Sequence, residues 1–342
     1  MNGTQTIGID TAKRVFFLHG ESHAGGVTLR KKLARDQLLP FLANQPPSLI
    51  ALEAGCGAHH WARSFSRLGH EVRLIHPKFV RPFVKTNKND WNDAAAICEA
   101  AQRPTMRFVA VKSVEQQDLL ALHRIRARLV SQRTGLCNQI RGLLAEYGVV
   151  LPVTVPRLRR ALPEVLEDAE NGLTVRARQL IASLREELVQ LDERIRPYEE
   201  EIERASLDNE TCRRLRGIPG IGPISATAIV ATMGDPRVFK NGRHFAAFLG
   251  LVPRQHSSGG KSQLGRISRR GDVYVRRILV QGAHTVLRRI KHRTGPRAAW
   301  ARALLARRGK QVAAVAVANK NARMAWRLIS EGSSYDEARA AA

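Results

Sequence analysis

The stretch TIGID at residues 6–10 decides the fold of the first part of this chain, because a short apolar run ends there in a carboxylate. The stretch LIALE at residues 49–53 repeats the pattern. Apolar runs of this length are typical of buried strands. Two further acids, Asp90 and Asp93, stand three residues apart at the start of a helical pattern, a spacing that places both on one face of a helix.

These four acids are predicted to converge on a divalent cation. The first two would end strands and the last two would begin a helix, so their side chains can meet at one edge of a sheet. Hard cations take oxygen ligands, and two such ions can activate a nucleophile and stabilise a leaving oxygen. We therefore predict a catalytic Mg²⁺ site, with Mn²⁺ as an alternative ion, formed by Asp10, Glu53, Asp90 and Asp93.

The order of elements in residues 1–110 predicts a mixed sheet covered by helices, as in an RNase H-like nuclease core. An actin-like or sugar-kinase ATPase also begins with a Gly-Ile-Asp strand, but that fold needs further Gly-rich phosphate loops, and this segment has none. The predicted strands are Ile7–Ile9, Val15–Leu18, Val27–Leu29, Leu49–Leu52 and Val72–Ile75, and the predicted helices are His59–Leu68 and a helix from Asp90 through Ala101.

Residues 111–205 are predicted to be helical. An amphipathic helix is followed by a proline-rich turn and then by apolar residues that alternate spacings of four and three from Ala177 to Ile202, which is typical of a coiled-coil seam. We expect this seam to pair with another subunit, with the first helix of the same chain as the alternative. Pro197 lies inside the seam, and an interior proline costs roughly 3 kcal/mol, so a kink is expected there.

The basic charge of the chain is concentrated in its C-terminal part. The 342 residues carry a formal charge of +26, and 22 Lys and Arg residues stand between Arg237 and Arg327 against one acid, Asp272. This asymmetry is typical of a surface that binds a polyanion. A membrane fits less well, because Gly-rich turns interrupt the segment where one amphipathic helix would be needed. We predict a basic, mainly helical domain at residues 206–330 and a frayed tail at 331–342.

The composition further narrows the class of protein to which the chain can belong. A hydrophobic content of 44% fits a globular protein, and we find no apolar run long enough for a membrane span and no signal-peptide core. The four cysteines have no C-x-x-C spacing, which argues against a zinc finger or a disulfide framework. A reducing, cytoplasmic environment is therefore expected.

The segment LRGIPGIGP at residues 215–223 resembles a helix-hairpin-helix element. A Pro-Gly-x-Gly turn between two helices presents backbone N–H groups beside a helix N-terminus, where they can bind a phosphate without reading sequence. A plain helix-helix turn is the alternative, and the basic surroundings favour the phosphate site. Gly220 and Gly222 are therefore predicted to contact nucleic acid.

A polar loop at residues 250–272 contains two adjacent serines before a pair of glycines, ringed by cations. A serine acts as a nucleophile only if its hydroxyl proton is removed and the attacked phosphate is neutralised. On these residues by themselves, a flexible loop that touches phosphate is favoured over a nucleophile. The basic residues predicted to contact nucleic acid in and after this loop are Arg254, Lys261, Arg266, Arg269, Arg270, Arg276 and Arg277.

The order of these motifs resembles one family over about residues 4–330. The four acids, the helical middle, the Pro-Gly-Ile-Gly turn and the Ser-Ser-Gly-Gly-Lys loop are similar to those of the DEDD insertion-sequence transposases, the IS-one-ten/IS-eleven-eleven type. These are bridge-RNA-guided recombinases, and the acids resemble the tetrad of the RuvC Holliday-junction resolvase. The resemblance implies a RuvC-like domain at 1–110, a coiled-coil oligomerisation region at 111–205 and a C-terminal transposase domain at 206–330.

The resemblance also implies a mechanism. In the family, a serine of the C-terminal domain attacks DNA and forms a phosphoserine link, and the matching position is Ser258, with Ser257 as the alternative. A structured non-coding guide RNA would pair with double-stranded donor and target DNA, so base pairing would read sequence while the protein binds backbones. The active site would be shared between subunits of a dimer of dimers, associated with the bacterial nucleoid and with no membrane.

Two other functions stay open on the sequence. A Holliday-junction resolvase or related metal-dependent endonuclease would use metal-activated water, with Ser258 only contacting phosphate. A non-catalytic nucleic-acid-binding protein would need the basic surface but not the acids. The transposase hypothesis alone expects the gene to lie between element ends, repeated in the genome, beside a transcribed non-coding stretch.

Overall fold

The computed structural model of the protein describes residues 5–85, 87 and 89–337. The chain divides into two compact units. The first contains Met1–Gln117 and Met233–Lys240, and the second contains Asp118–Thr232 and Asn241–Ala342. Most of the segments predicted as the middle and C-terminal domains therefore lie together in the second unit.

A six-stranded mixed sheet forms the centre of the first unit, in the order β3-β2-β1-β4-β5-β6. The pairs β1–β2, β2–β3 and β5–β6 are antiparallel, whereas β1–β4 and β4–β5 are parallel. The predicted mixed sheet is therefore confirmed, with a short additional strand, β6, at its edge. The strands are β1 Thr6–Thr11, β2 Val15–Glu21, β3 Val27–Ala34, β4 Leu49–Glu53, β5 Glu71–Ile75 and β6 Phe108–Val109.

Helices cover both faces of this sheet. Helix α2 buries Trp61 and Phe65 against one face, and the alanine-rich α4 packs on the other. Both predicted helices are found within a residue of their expected ends, whereas the short α1 and α3 were not predicted. The helices are α1 Leu38–Ala43, α2 Ala58–Arg67, α3 Pro77–Val80 and α4 Asp90–Ala101, with a 3₁₀ turn at Arg81–Phe83.

Alternation along β1 explains the TIGID stretch. Ile7 and Ile9 are fully buried in the same core as Trp61 and Phe65. Gly8 lies between them and belongs to the opposite face, because successive strand residues point to opposite sides of a sheet. Full burial of an isoleucine side chain contributes about 1.5–3 kcal/mol, so the two isoleucines hold β1 in this register.

The rest of the described chain consists mainly of helices and one hairpin. Helix α12 contains a break at Gly309, whose φ of 73° and ψ of 169° are not helical. The tail from residue 338 onward lies outside the described residues. The elements are α5 Val114–Ala145, α6 Val155–Glu167, α7 Val175–Asp208, α8 Glu210–Arg216, α9 Pro223–Met233, α10 Gly242–Phe248, β7 Pro253–Gln255, β8 Leu264–Ile267, α11 Val273–Arg288 and α12 Pro296–Glu331.

The predicted apolar seam on α7 is buried within this chain. Leu188 and Ile195 lie in one hydrophobic cluster with Leu136 and Ile140 of α5. The expectation that the seam pairs with another subunit is therefore corrected in favour of the alternative, the first helix of the same chain, because α5 already covers it. Helix α7 also continues through Pro197 as one element, so the proline does not divide it.

Replacing Leu188 with alanine should destabilise the second unit without changing the oligomeric state. Leu188 is 2% exposed, and a large-to-small substitution in such a core costs about 2–5 kcal/mol. Chemical unfolding measures the stability, and light scattering measures the mass. Val189 is 48% exposed on the same helix. The control variant Val189→Ala should therefore change neither the stability nor the mass. A lower mass for Leu188→Ala with unchanged unfolding would restore the intersubunit hypothesis.

Candidate functional site

Helix α4 lies directly against β1 at Gly8. A Cβ atom at Gly8 would collide with the carbonyl oxygen of Ala94 and the amide nitrogen of Cys98. The Sγ of Cys98 donates to the carbonyl oxygen of Thr6 at 3.3 Å. Helix α4 runs antiparallel to β1, with Cys98 beside Thr6 and Ala94 beside Gly8. The start of α4 therefore lies near Asp10. The glycine therefore permits the approach that brings the acids of α4 to the strand.

Three of the four predicted ligands meet at this point. Carboxylate oxygens of Asp10, Asp90 and Asp93 all lie within 4.8 Å of one another. Glu53 is outside this group of described residues, although it ends β4, the parallel neighbour of β1. The structure therefore brings the acids of β1 and α4 together and places Glu53 on the adjacent strand.

The charge of the cluster acts on Asp10. Burial, followed by repulsion from Asp93, Asp90 and Glu53, raises the pKa of Asp10 from 3.8 to about 6, against the lowering effect of a backbone hydrogen bond from Thr11. Glu53 is thus close enough for its negative charge to raise the pKa of Asp10. Carboxylates that repel one another in this way are stabilised by a cation that neutralises them. The donor set fits a hard divalent ion, which prefers oxygen ligands.

Asn89 supports this site and was missed by the sequence prediction. Its Oδ1 accepts a hydrogen bond from the backbone N–H of Asn92 at 2.9 Å and caps α4. An asparagine directly before a helix with acids in its first turn is a helix-start signal that could have identified it. Because the cap determines where α4 begins, it also determines the directions of Asp90 and Asp93.

The serine loop of the second unit is a hairpin. Ser258 pairs with Lys261, whose backbone N–H donates to the Ser258 carbonyl oxygen at 3.0 Å. Gly259 and Gly260 between them have φ values of 55° and 77°, as a type I′ hairpin turn requires. The hydroxyl of the neighbouring Ser257 accepts a hydrogen bond from Gln255 at 2.9 Å. Ser258 therefore lies at the exposed tip of a hairpin turn.

The base of this hairpin is held by close backbone packing. A Cβ at Gly250 would collide with the backbone of Arg270, and one at Gly271 would collide with the carbonyl oxygen of Phe248. The backbone N–H of Arg269 donates to Gly250 at 3.2 Å. Arg269 adopts a φ of 54°, in the left-handed region that non-glycine residues rarely occupy. The packed glycines thus anchor the segment that presents the serines.

Six of the seven basic residues predicted around this hairpin are exposed. Arg276 is the exception, because its Nη1 donates to the carbonyl oxygens of Leu249 and Arg270, both at 2.9 Å, and its side chain is buried. The predicted nucleic-acid contact at Arg276 is therefore corrected to a structural role. The exposed residues are Arg254, Lys261, Arg266, Arg269, Arg270 and Arg277.

Neutralising two exposed arginines should make DNA binding less sensitive to salt. Each phosphate contact that is lost reduces the slope of log binding constant against log salt by about 0.9 for duplex DNA. We expect the Arg269→Gln and Arg270→Gln double variant to flatten the slope by up to about 2, measured by fluorescence anisotropy at several salt concentrations. Arg276→Gln is the control. It should lower the unfolding midpoint but leave the dependence of binding on salt unchanged. An unchanged slope in the double variant would contradict the predicted contacts.

The Pro-Gly-Ile-Gly turn joins α8 to α9 and is packed against α11. Gly220 has a φ of 91°, and a Cβ added at Gly282 of α11 would collide with its carbonyl oxygen. Asn321 donates to the carbonyl oxygen of Pro219 at 3.1 Å and accepts from the buried Arg297. Gly220 therefore has a packing role within the chain, and contact of Gly222 with phosphate stays a prediction.

A carboxylate cluster on a six-stranded mixed sheet, in a chain with a basic helical unit, fits the class of RNase H-like proteins that act on nucleic acid. Two family profiles match the chain. One, described as "Transposase" and named for DEDD transposases of the IS110 type, covers residues 7–149, and the other, "Transposase IS116/IS110/IS902 family", covers residues 212–299. The chain belongs to this family of insertion-sequence transposases, as the motifs predicted.

Individual relatives agree with the family over nearly the whole chain. A probable family 20 transposase of Pseudomonas aeruginosa is 48% identical over 330 residues, which cover 96% of this chain and 98% of that protein. The transposase for insertion sequence element IS1111A of Coxiella burnetii is 44% identical over 335 residues, covering 98% and 92%. The transposase for insertion sequence element IS1328 of Yersinia enterocolitica is 43% identical over 339 residues, covering 98% and 100%.

Membership in the family makes the chain an enzyme that cuts and rejoins DNA, and DEDD transposases typically use a divalent metal. No helix within the described residues is long and apolar enough to cross a membrane. The acids of the first unit and the basic surface of the second fit an activity on phosphodiesters.

Proposed function

We propose that this transposase is an RNA-guided site-specific recombinase that inserts and excises its own element through a phosphoserine intermediate. The observation that carries the proposal is the position of Ser258, at the exposed tip of a hairpin. Arg254 lies on β7 and Arg266 on β8 of the same hairpin, and Lys261 is paired with the serine. A nucleophile that must attack a doubly esterified phosphate needs such cations nearby.

Asp10, Asp90 and Asp93 would hold the divalent ion, with Glu53 adding negative charge from the neighbouring strand. A bound Mg²⁺ or Mn²⁺ would neutralise charge on a phosphodiester and lower the pKa of a coordinated oxygen. The protein contributes the geometry, because the Asn89 cap and the contact of α4 with Gly8 orient the carboxylates before any ion binds.

The proposed reaction exchanges one phosphodiester for another. The Oγ–H of Ser258 loses its proton as the Oγ–P bond forms, and one bridging P–O bond of the DNA breaks. The proton is taken up by the oxygen that leaves, so the DNA ends in a hydroxyl. Attack by the hydroxyl of a second DNA end reverses the step, restores the serine and joins the two DNAs. Arg254, Lys261 and Arg266 would neutralise the attacked phosphate.

The proposed partners are double-stranded donor and target DNA and a structured non-coding guide RNA. The second unit carries a basic surface but needs no sequence-reading groove, because base pairing with the guide would identify the DNA. Exposed arginines such as Arg269 and Arg270 can bind backbones of either nucleic acid. A dimer of dimers remains the proposed assembly, and since the α7 seam is covered within the chain, other surfaces would have to join the protomers.

A denaturing gel tests this function. Labelled junction DNA is incubated with the protein and Mg²⁺, with and without RNA transcribed from beside the gene. We expect a covalent protein–DNA adduct that forms only with the RNA. Cleavage without an adduct would favour the Holliday-junction resolvase hypothesis, in which water attacks. Binding without cleavage would favour the non-catalytic hypothesis.

A further inference from the structure

A cleft of about 1,380 Å³ in the second unit lies beside the serine hairpin. One wall is formed by the hairpin strands, through Pro253 on β7 and Arg266 and Ile267 on β8. The other wall is formed by α12, which contributes Trp300 and Lys320 from opposite sides of its break at Gly309. The strands that present Ser258 therefore also enclose this cleft.

The cleft combines an apolar interior with a cationic lining. Val312, Val315 and Met324 supply apolar surface. Among the residues that line it are six Lys and Arg residues, and the one acid, Glu331, is paired with Arg327 at 2.9 Å. The charge that remains uncompensated is positive, so the cleft suits an occupant that carries negative charge together with a flat or apolar part.

Trp300 gives this lining its specific chemistry. Trp300 is 36% exposed, and the Nζ of Lys320 lies 5.1 Å from the centroid of its ring. An aromatic ring accessible from a cationic cleft is what stacks a base while the cations contact its phosphate. Bases inside a duplex have both faces covered by their neighbours, so only an unstacked nucleotide can use the ring.

We infer that this cleft binds one unstacked nucleotide of a single DNA strand, with its base on Trp300 and its phosphate between Arg266 and Arg323. The inference deepens the proposed function and rests on it, because the hairpin that forms one wall of the cleft also carries Ser258, the group proposed to attack DNA. The five residue steps from Pro253 to Ser258 span about 16 Å in extended conformation. This distance corresponds to about five phosphates along one strand of a duplex, so the nucleotide lies a few positions from the attacked bond.

The first test uses single-stranded oligothymidylate DNA of ten nucleotides as the probe and anisotropy as the readout. Trp300→Ala should weaken its binding by about 5- to 100-fold, the loss expected for one stacked base, and change binding of a ten-base-pair duplex by less than about twofold. Trp300→Phe should keep most of the affinity, because a phenyl ring can still stack. Tyr147→Ala is the matched control, since Tyr147 is 39% exposed on the chain connecting α5 to α6, outside the cleft.

A second test leaves the protein intact, in case Trp300→Ala does not fold. DNA strands with a single abasic site at successive positions around the cleaved bond are bound to the unaltered protein. An abasic site at one position of the strand should weaken binding by about the same factor as Trp300→Ala does. The Trp300→Phe variant should be sensitive to an abasic site at that same position. Equal affinity at every position, or equal loss of duplex binding in Trp300→Ala, would overturn the inference. A preference of the cleft for the RNA form of the probe would overturn its assignment to DNA.

The two proposals fail differently. A normal covalent adduct in the wild type with no effect of Trp300 on binding would remove the nucleotide cleft and keep the serine chemistry. Stacking on Trp300 with no adduct under any condition would remove the serine chemistry and with it the link between cleft and attacked bond.

Discussion

Ser258→Ala is expected to abolish both the protein–DNA adduct and the recombinant product while weakening the binding of DNA and RNA by no more than about 30-fold. Removing the nucleophile eliminates the covalent path, whereas losing a hydrogen bond to phosphate costs only about 2 kcal/mol of binding. The adduct is measured on a denaturing gel, the product by a recombination assay, and affinity by anisotropy. Activity should therefore fall below detection at DNA concentrations that saturate the variant.

Ser257→Ala is the matched control for this experiment. Its hydroxyl already accepts a hydrogen bond from Gln255, and it lies one residue before the paired positions of the turn, so measurable recombination should remain. The opposite ranking would move the nucleophile to Ser257. Full activity in both single variants and in the double variant would reject serine chemistry and support hydrolysis by a resolvase-like site.

Asp10→Asn is expected to abolish DNA strand exchange and at the same time stabilise the metal-free protein. The variant removes one of three carboxylates that lie within 4.8 Å of each other, so it loses a metal ligand and relieves repulsion. Differential scanning fluorimetry should show a higher unfolding midpoint than the wild type near pH 7.5 without metal. Added Mg²⁺ should raise the midpoint of the wild type and have little effect on the variant.

The pH dependence of this stabilisation follows from the raised pKa of Asp10. The folded-state value of about 6 exceeds the ordinary 3.8, so the folded protein holds the proton more tightly than the unfolded chain. The stabilising contribution is present below about pH 4 and is lost as the pH rises to about 6. The stability difference between Asp10→Asn and wild type should therefore grow between these values in metal-free buffer and stay constant above them.

Asp36→Asn is the control for removing one negative charge, because Asp36 is an exposed acid of the same unit outside the cluster. It should leave recombination and the response to Mg²⁺ intact. Wild-type recombination by Asp10→Asn in Mg²⁺ would show that the carboxylate cluster is not the catalytic metal site.

The sequence predicted the elements of the first unit well because their signals are local. Runs such as TIGID and LIALE carry their strand pattern in five residues, and the helix that begins at Asp90 carries its own start signal. The four-residue α3 and the two-residue β6 were missed, because elements this short contain only about one period of their pattern and no repeat of it. The close approach of α4 to Gly8 could not be predicted either, because it depends on residues of α4 that are about ninety positions away in the sequence.

The serine segment shows a different limit. Its composition is that of a flexible loop, and the Gly-Gly pair that forms the hairpin turn is also common in unstructured linkers. The exposed turn depends on the pairing of Ser258 with Lys261, which composition alone does not reveal. Arg276 was grouped with surface arginines for the same reason, because its two carbonyl partners are not adjacent to it in sequence.

By itself the sequence determined the five longer strands and two longer helices of the first unit, the four acids as candidates, the basic character of the second unit and the family. Each of these depends on residue type and short spacing. The tertiary structure decided that Asp10, Asp90 and Asp93 meet while Glu53 lies on the next strand. It also decided that the α7 seam packs on α5 of its own chain. An apolar stripe on a helix can pack equally well on any complementary helix, and a carboxylate can bind any cation or hydrogen-bond donor. Only the three-dimensional path of the chain therefore selects the partner.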